Sequence, residues 1–101
     1  MLTVTADSPK TAKAITDALL KGRLAACVNE MAGIKSSYWW KGKLERSREI
    51  MLVIKTRKTL AADVIREVKK VHPYEVPEII AFDISRGNPD YLEWIGKETK
   101  K

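Results

Sequence analysis

Hydrophobic positions along this chain fall into short dense runs, separated by stretches in which they recur every three or four residues. Residues 1–6 form a short β-prone run. Ser8-Pro9 reads as a helix start, with Ser as the cap and Pro at the first helical position. Ala12, Ile15, Ala18 and Leu19 then recur at helical spacing, and Gly22 suits a left-handed stop. Residues 24–29, Leu-Ala-Ala-Cys-Val-Asn, read as the start of a buried strand. Ser36 to Trp40 is β-prone and aromatic, and Lys41-Gly42-Lys43 is a hairpin turn candidate. The return strand is predicted from about Leu44 into the continuous apolar run Ile50 to Ile54, a pattern suited to a central strand. These arms are long for strands, so the hairpin is expected to reach beyond the body of the domain.

In the second half, Leu60, Ala61, Val64, Ile65, Val68 and Val71 make one helical stripe, with Thr56 or Thr59 as its expected cap. Pro73 ends that helix, because the residue before a proline is pushed out of the helical region. His72 to Glu78 holds Pro73 and Pro77 and reads as an irregular, stiff connection. Ile79 to Ile84 is a further strand. Asn88-Pro89 opens a last helix whose apolar face is Leu92 and Ile95 with Tyr91 or Trp94.

The order is β-α-β-β-α-β plus a C-terminal helix. Right-handed crossovers around one hairpin then give a four-stranded antiparallel sheet with both helices on one face, an α+β, ferredoxin-like sandwich. No segment of the chain covers the other sheet face. The hairpin carries Ile34, Tyr38, Trp39, Trp40, Met51 and Val53. Leaving such surface in water costs about 25 cal/mol per Å², so self-association is expected; the pattern does not give the number of subunits.

Composition narrows this picture. At 101 residues the chain has room for one domain, spanning 1–101. The lone cysteine, Cys27, permits no intrachain disulfide, and no targeting run or membrane-length apolar run is visible. A cytoplasmic location is expected. The net charge of +6 comes from lysines and arginines scattered among acids, as in Lys43-Leu44-Glu45-Arg46-Ser47-Arg48-Glu49. That is a mixed surface rather than a nucleic-acid footprint. Many charges and no glutamine suggest a heat-stable protein.

The candidate chemistry is sparse. His72, the only histidine, lies within a few residues of Glu75, Glu78 and Tyr74. Imidazole with carboxylates suits Cu(II) or Zn(II); alternatively, His72 caps a helix end. Cys27 reads either as a small buried hydrophobe or as a soft-metal ligand. Together they fall short of a closed four-ligand site, so any metal site is expected to be open, weak and completed between chains. Lys55 is expected to pair with Glu75 or Glu78, or to receive an anion. Tyr38, Trp39 and Trp40 are expected to pack at an interface. Phosphate loops, nucleophile elbows and paired-cysteine zinc motifs are absent, so a non-catalytic role is expected.

Five segments, in order, resemble the CutA divalent-cation tolerance family: Arg23 to Asn29, Ser37 to Gly42, Leu52 to Thr56, His72 to Ile80 and Tyr91 to Ile95. Met31-Ala32-Gly33 departs from the family's usual apolar-Pro-Gly, which is expected to affect only the bend of that strand. The resemblance implies a homotrimer built around a three-fold axis and tolerance of copper and other divalent cations. It also implies a cleft between subunits near Lys55, His72, Tyr74, Glu75, Glu78 and Trp40, with Cys27 available to soft metals. A PII-like trimeric sensor that binds a small anion in that cleft is the rival reading, by analogy of fold.

Overall fold

The computed structural model describes residues 1–100. Its elements follow the predicted order: β1 (Leu2–Ala6), α1 (Pro9–Lys21), β2 (Cys27–Trp40), β3 (Lys43–Lys55), a 3₁₀ turn at Lys58–Leu60, α2 (Ala61–Val71), β4 (Ile79–Ala81) and α3 (Pro89–Glu98). The sheet order is β2-β3-β1-β4, antiparallel throughout, which is the ferredoxin-like arrangement.

Strand alternation sorts the residues into two faces. Leu2, Val4 and Ala6 on β1, with Leu52 and Ile54 on β3, point to one side. There they pack with Ala12, Ile15 and Leu19 of α1 and Val64 and Val68 of α2 as one core. On the opposite face Met31 and Ile80 are exposed, and Met51 and Val53 are half-buried. The uncovered face expected from the pattern is therefore present.

Several local details depart from expectation. The first helix does not stop on a left-handed Gly22, whose φ is −82°. Arg23 takes the left-handed position instead, with φ 56°. Its N–H bonds Leu20 O at 3.1 Å, and Leu24 N–H bonds Leu19 O at 2.9 Å, which is the Schellman pattern. A Cβ on Gly22 would lie 3.3 Å from Ala18 O, so glycine serves there by its small size.

Neither threonine caps α2, and no side chain does. Thr56 donates instead to Leu24 O at 2.6 Å, tying the end of β3 to the entry of β2. Val71 is exposed rather than part of the buried stripe. β4 stops at Ala81, because its partner β1 starts at Leu2; two further bonds join Phe82 and Met1, from Phe82 N–H to Met1 O at 2.7 Å and from the Met1 ammonium to Phe82 O at 3.1 Å. α3 begins as predicted, with Asn88 Oδ1 accepting from Asp90 N–H at 3.0 Å. It buries only Ile95.

The hairpin is long, and the molecule measures 44 × 26 × 21 Å. Trp40 pairs with Lys43, leaving Lys41 and Gly42 as a two-residue turn with φ of 50° and 78°. Both positive angles mark the primed turn that matches strand twist. A bulge between Met31 and Ile34, with Gly33 at φ 79°, lies at the departure from the family pattern.

Candidate cation site

Pro73 sets the geometry of the site. It ends α2 at Val71 and turns His72 to an extended conformation, ψ 130°. The His72 side chain is thereby folded inward, 7% exposed. Its Nε2 lies 2.7 Å from Thr5 O, and its Nδ1 accepts from Tyr74 N–H at 3.2 Å. Because a backbone N–H only donates, Nδ1 holds the lone pair and Nε2 the proton given to Thr5. Both nitrogens are engaged within the chain. His72 thus clamps β1 to the 72–78 connection rather than capping α2 with its side chain; only its backbone N–H closes the helix, on Val68 O.

Tyr74 packs on the His72 ring, with centroids 4.5 Å apart, and its hydroxyl donates to Glu49 Oε2 at 2.8 Å. Burial first, and then the Glu49 hydrogen bond and charge, hold the Tyr74 hydroxyl protonated well above the ordinary tyrosine range. Glu49 is 7% exposed. It sits on β3 opposite Ile34, on the sheet face that also carries Tyr38 and its partner Glu45.

The 72–78 connection and the outer arm of the hairpin border a groove of about 840 Å³. Tyr38, Trp39, Trp40 and Tyr74 form its aromatic wall; Glu45, Glu49, Glu75 and Glu78 supply its charge. Trp39 is the most exposed of these rings at 74%. The turn residue Lys41 places Nζ 5.5 Å from the Trp40 ring centroid and 3.8 Å from Glu75 Oε2.

Cys27 and Lys55 are elsewhere. They pair across β2 and β3 at the opposite end of the sheet. Lys55 Nζ donates to Asn29 Oδ1 rather than to Glu75 or Glu78. The physical reason is distance, since six residues of strand separate Glu49 from Lys55, about 20 Å. Cys27 Sγ approaches the same Asn29 Oδ1 at 3.8 Å. Tyr91 of α3 lies beside it, its hydroxyl pushed up by burial and then by Cys27.

The expected site residues therefore form two groups on one chain: His72, Tyr74, Glu75, Glu78 and Trp40 at one end, Cys27 and Lys55 at the other. Among the described residues, no three His, Cys, Asp or Glu side chains converge as a metal-holding group. Glu49, Glu45 and Thr5 belong to the groove but were not singled out from the sequence. The available signal was Glu49 itself, a charge placed directly before the apolar run that begins at Ile50.

Comparison with known proteins agrees with this fold. The family model described as CutA1 divalent ion tolerance protein matches residues 1–98. Protein CutA of Mus musculus is 45% identical over 97 residues, 96% of this chain and 55% of the mouse protein. The chain thus spans about half the length of that curated relative. The structure of the divalent cation tolerance protein (Cut A1) from Thermus thermophilus superimposes with a TM-score of 0.95 at 39% identity, covering 98% of this chain and 96% of that one. The structure of the periplasmic divalent cation tolerance protein CutA from Archaeoglobus fulgidus gives 0.94 at 41% identity, covering 98% and 96%. No helix among the described residues is long and apolar enough to cross a membrane.

Proposed function

This chain belongs to the CutA1 divalent ion tolerance family, and on that premise we propose that it is a non-catalytic, homotrimeric protein that binds divalent cations, Cu(II) foremost, in an exchangeable way. The observation that supports this reading is the carboxylate-lined groove, in which Glu75 and Glu78 stand beside exposed aromatic rings. Carboxylate oxygens and water suit an open site of modest affinity. His72 positions the connection that carries these carboxylates, and reaches a metal only by releasing the Tyr74 amide. Cys27, at the far end of the sheet, serves softer cations. A cyclic, head-to-tail assembly brings unlike ends of neighbouring copies together. The Cys27–Lys55 end of one copy then completes the groove of the next, and the exposed Ile80, Phe82 and Met31 are covered. The cytoplasm fits the unpaired cysteine; the periplasmic name of the Archaeoglobus relative is the competing location.

The anion-sensing alternative draws on Lys55, on Arg57 and on the net positive charge. Arg57 is engaged inside the chain, donating to Gly96 O and to Thr99 Oγ1, which removes one of those supports.

Calorimetric titration of Cu(II) into the wild type, Glu75→Gln/Glu78→Gln and Cys27→Ser tests the proposal, alongside sedimentation of each. Weaker binding by the double variant, with a trimer retained, is the expected result. Unchanged isotherms for both variants, or a wild-type monomer, would refute it.

A further inference from the structure

Opposite charges stand at the two ends of the uncovered sheet face. Along β3, Glu49, Met51, Val53 and Lys55 alternate with the core residues Leu52 and Ile54, so all four point away from the helices. Glu49 is almost wholly buried and enters none of the ion pairs among the described residues. One of its oxygens takes the Tyr74 hydroxyl. No buried side-chain polar atom lacks a partner, so its other oxygen reaches the surface. Lys55 is half-buried and likewise outside those ion pairs. Its ammonium gives one hydrogen to Asn29 Oδ1 and keeps others to donate.

Within one copy these charges cannot meet, because about 20 Å of strand lies between them. The face between them is apolar: Met31, Met51 and Val53, with Ile80 on β4. Where the face is shared with β1, Lys55 is its only cation among the described residues. On the hairpin arm, the cation on the same side is Lys43, which is exposed beside the turn. A buried carboxylate without a counter-charge is costly. A cyclic assembly sets one end of each copy against the opposite end of the next, where an acid and a base are complementary.

We propose that Lys55 of one copy donates to Glu49 of the next, so that the hydrogen-bonded groups Asn29, Lys55, Glu49 and Tyr74 run in line across each seam. The pair rests on the trimeric reading above and deepens it. Glu49 is committed to the seam, which leaves Glu75 and Glu78 free to hold the divalent cation. The same contact seats the Cys27 end of one copy over the groove of its neighbour.

Glu49→Cys/Lys55→Cys, made in a Cys27→Ser background and oxidised with diamide, tests the contact directly. The two positions are too far apart to be bridged within a chain, so any disulfide joins copies. Covalent trimers that a reductant returns to single chains are expected. Sedimentation equilibrium supplies a second test that does not need the cysteine variant to fold. Lys55→Met strands the Glu49 charge and is expected to weaken the assembly about tenfold or more. Adding Glu49→Gln removes the stranded charge, so the double variant is expected to assemble more tightly than Lys55→Met alone. The proposal is overturned if the folded cysteine variant forms no disulfide between copies, if Lys55→Met assembles like the wild type, or if the two losses add. Cu(II) titration separates it from the functional reading. A cross-linked trimer that binds no Cu(II) sinks the cation role alone. A Cu(II)-binding trimer indifferent to Lys55→Met sinks the ion pair alone, and a monomeric wild type sinks both.

Discussion

The Tyr74 hydroxyl reaches across from the connection after α2 and donates to Glu49 on β3, 2.8 Å away. It is the one side-chain hydrogen bond made to a carboxylate that is almost wholly buried. Tyr74→Phe keeps the ring against His72 and removes only the donor. The expected cost is about 1–3 kcal/mol, the range for stranding a buried acceptor. Urea unfolding measures it, and Tyr74→Phe/Glu49→Gln should recover part of the loss.

The same pair predicts a pH effect. The folded protein holds the Tyr74 proton more tightly than the unfolded chain, whose tyrosine titrates near 10.0. The stabilisation is complete below that pH and is lost as pH rises past it. Above about pH 10 the wild type should lose stability more steeply than Tyr74→Phe, by up to about 1.4 kcal/mol per pH unit. Parallel slopes would contradict the assignment.

His72 should show the Nε2–H tautomer in nitrogen NMR, since Nδ1 accepts from Tyr74 N–H. His72→Ala leaves Thr5 O and the Tyr74 amide without their partner. A loss of about 1–3 kcal/mol is expected, with faster exchange of the Tyr74 amide.

Gly42 and Gly33 both have positive φ with open space around an added Cβ. Gly42→Ala and Gly33→Ala therefore carry only the backbone term, about 1 kcal/mol each. Thermal unfolding checks this. A much larger loss at Gly33 would mean that the bulge does more than place one left-handed residue.

Arg57 fastens α3 through Gly96 O and Thr99 Oγ1, and Thr99 Oγ1 passes the bond on to Ile95 O at 2.8 Å. As Ile95 is the helix's only buried residue, Arg57→Ala should loosen α3 alone. Hydrogen exchange is expected to accelerate over 89–98 while the β1–β3 amides stay protected.

Much of the fold was legible in the sequence because period and punctuation agreed. Ser8-Pro9, Pro73 and Asn88-Pro89 each stand at a helix boundary, and Lys41-Gly42 stands at the turn. What escaped depended on tertiary neighbours. Glycine preference pointed to Gly22, yet the closing bonds of α1 run from Arg23 N–H and Leu24 N–H, which puts the left-handed residue at Arg23. Thr56 had the chemistry of a cap but found the Leu24 carbonyl first. The candidate site was half legible. Closeness in sequence gathered His72, Tyr74, Glu75 and Glu78 at one end of the chain's fold, but only the strand register could separate Lys55 from them and bring in Glu49.

The bulge between Met31 and Ile34 divides the hairpin into two independent lengths. Below it, the β3 ladder is shared with β1 and fixed by the core; beyond it, from Ile34–Glu49 to Trp40–Lys43, β2 and β3 pair only with each other. Residues added or removed in matched pairs there would change the reach of the arm while the helices and the sheet behind them kept their register. The tip can thus be tailored to whatever it touches without renegotiating the fold.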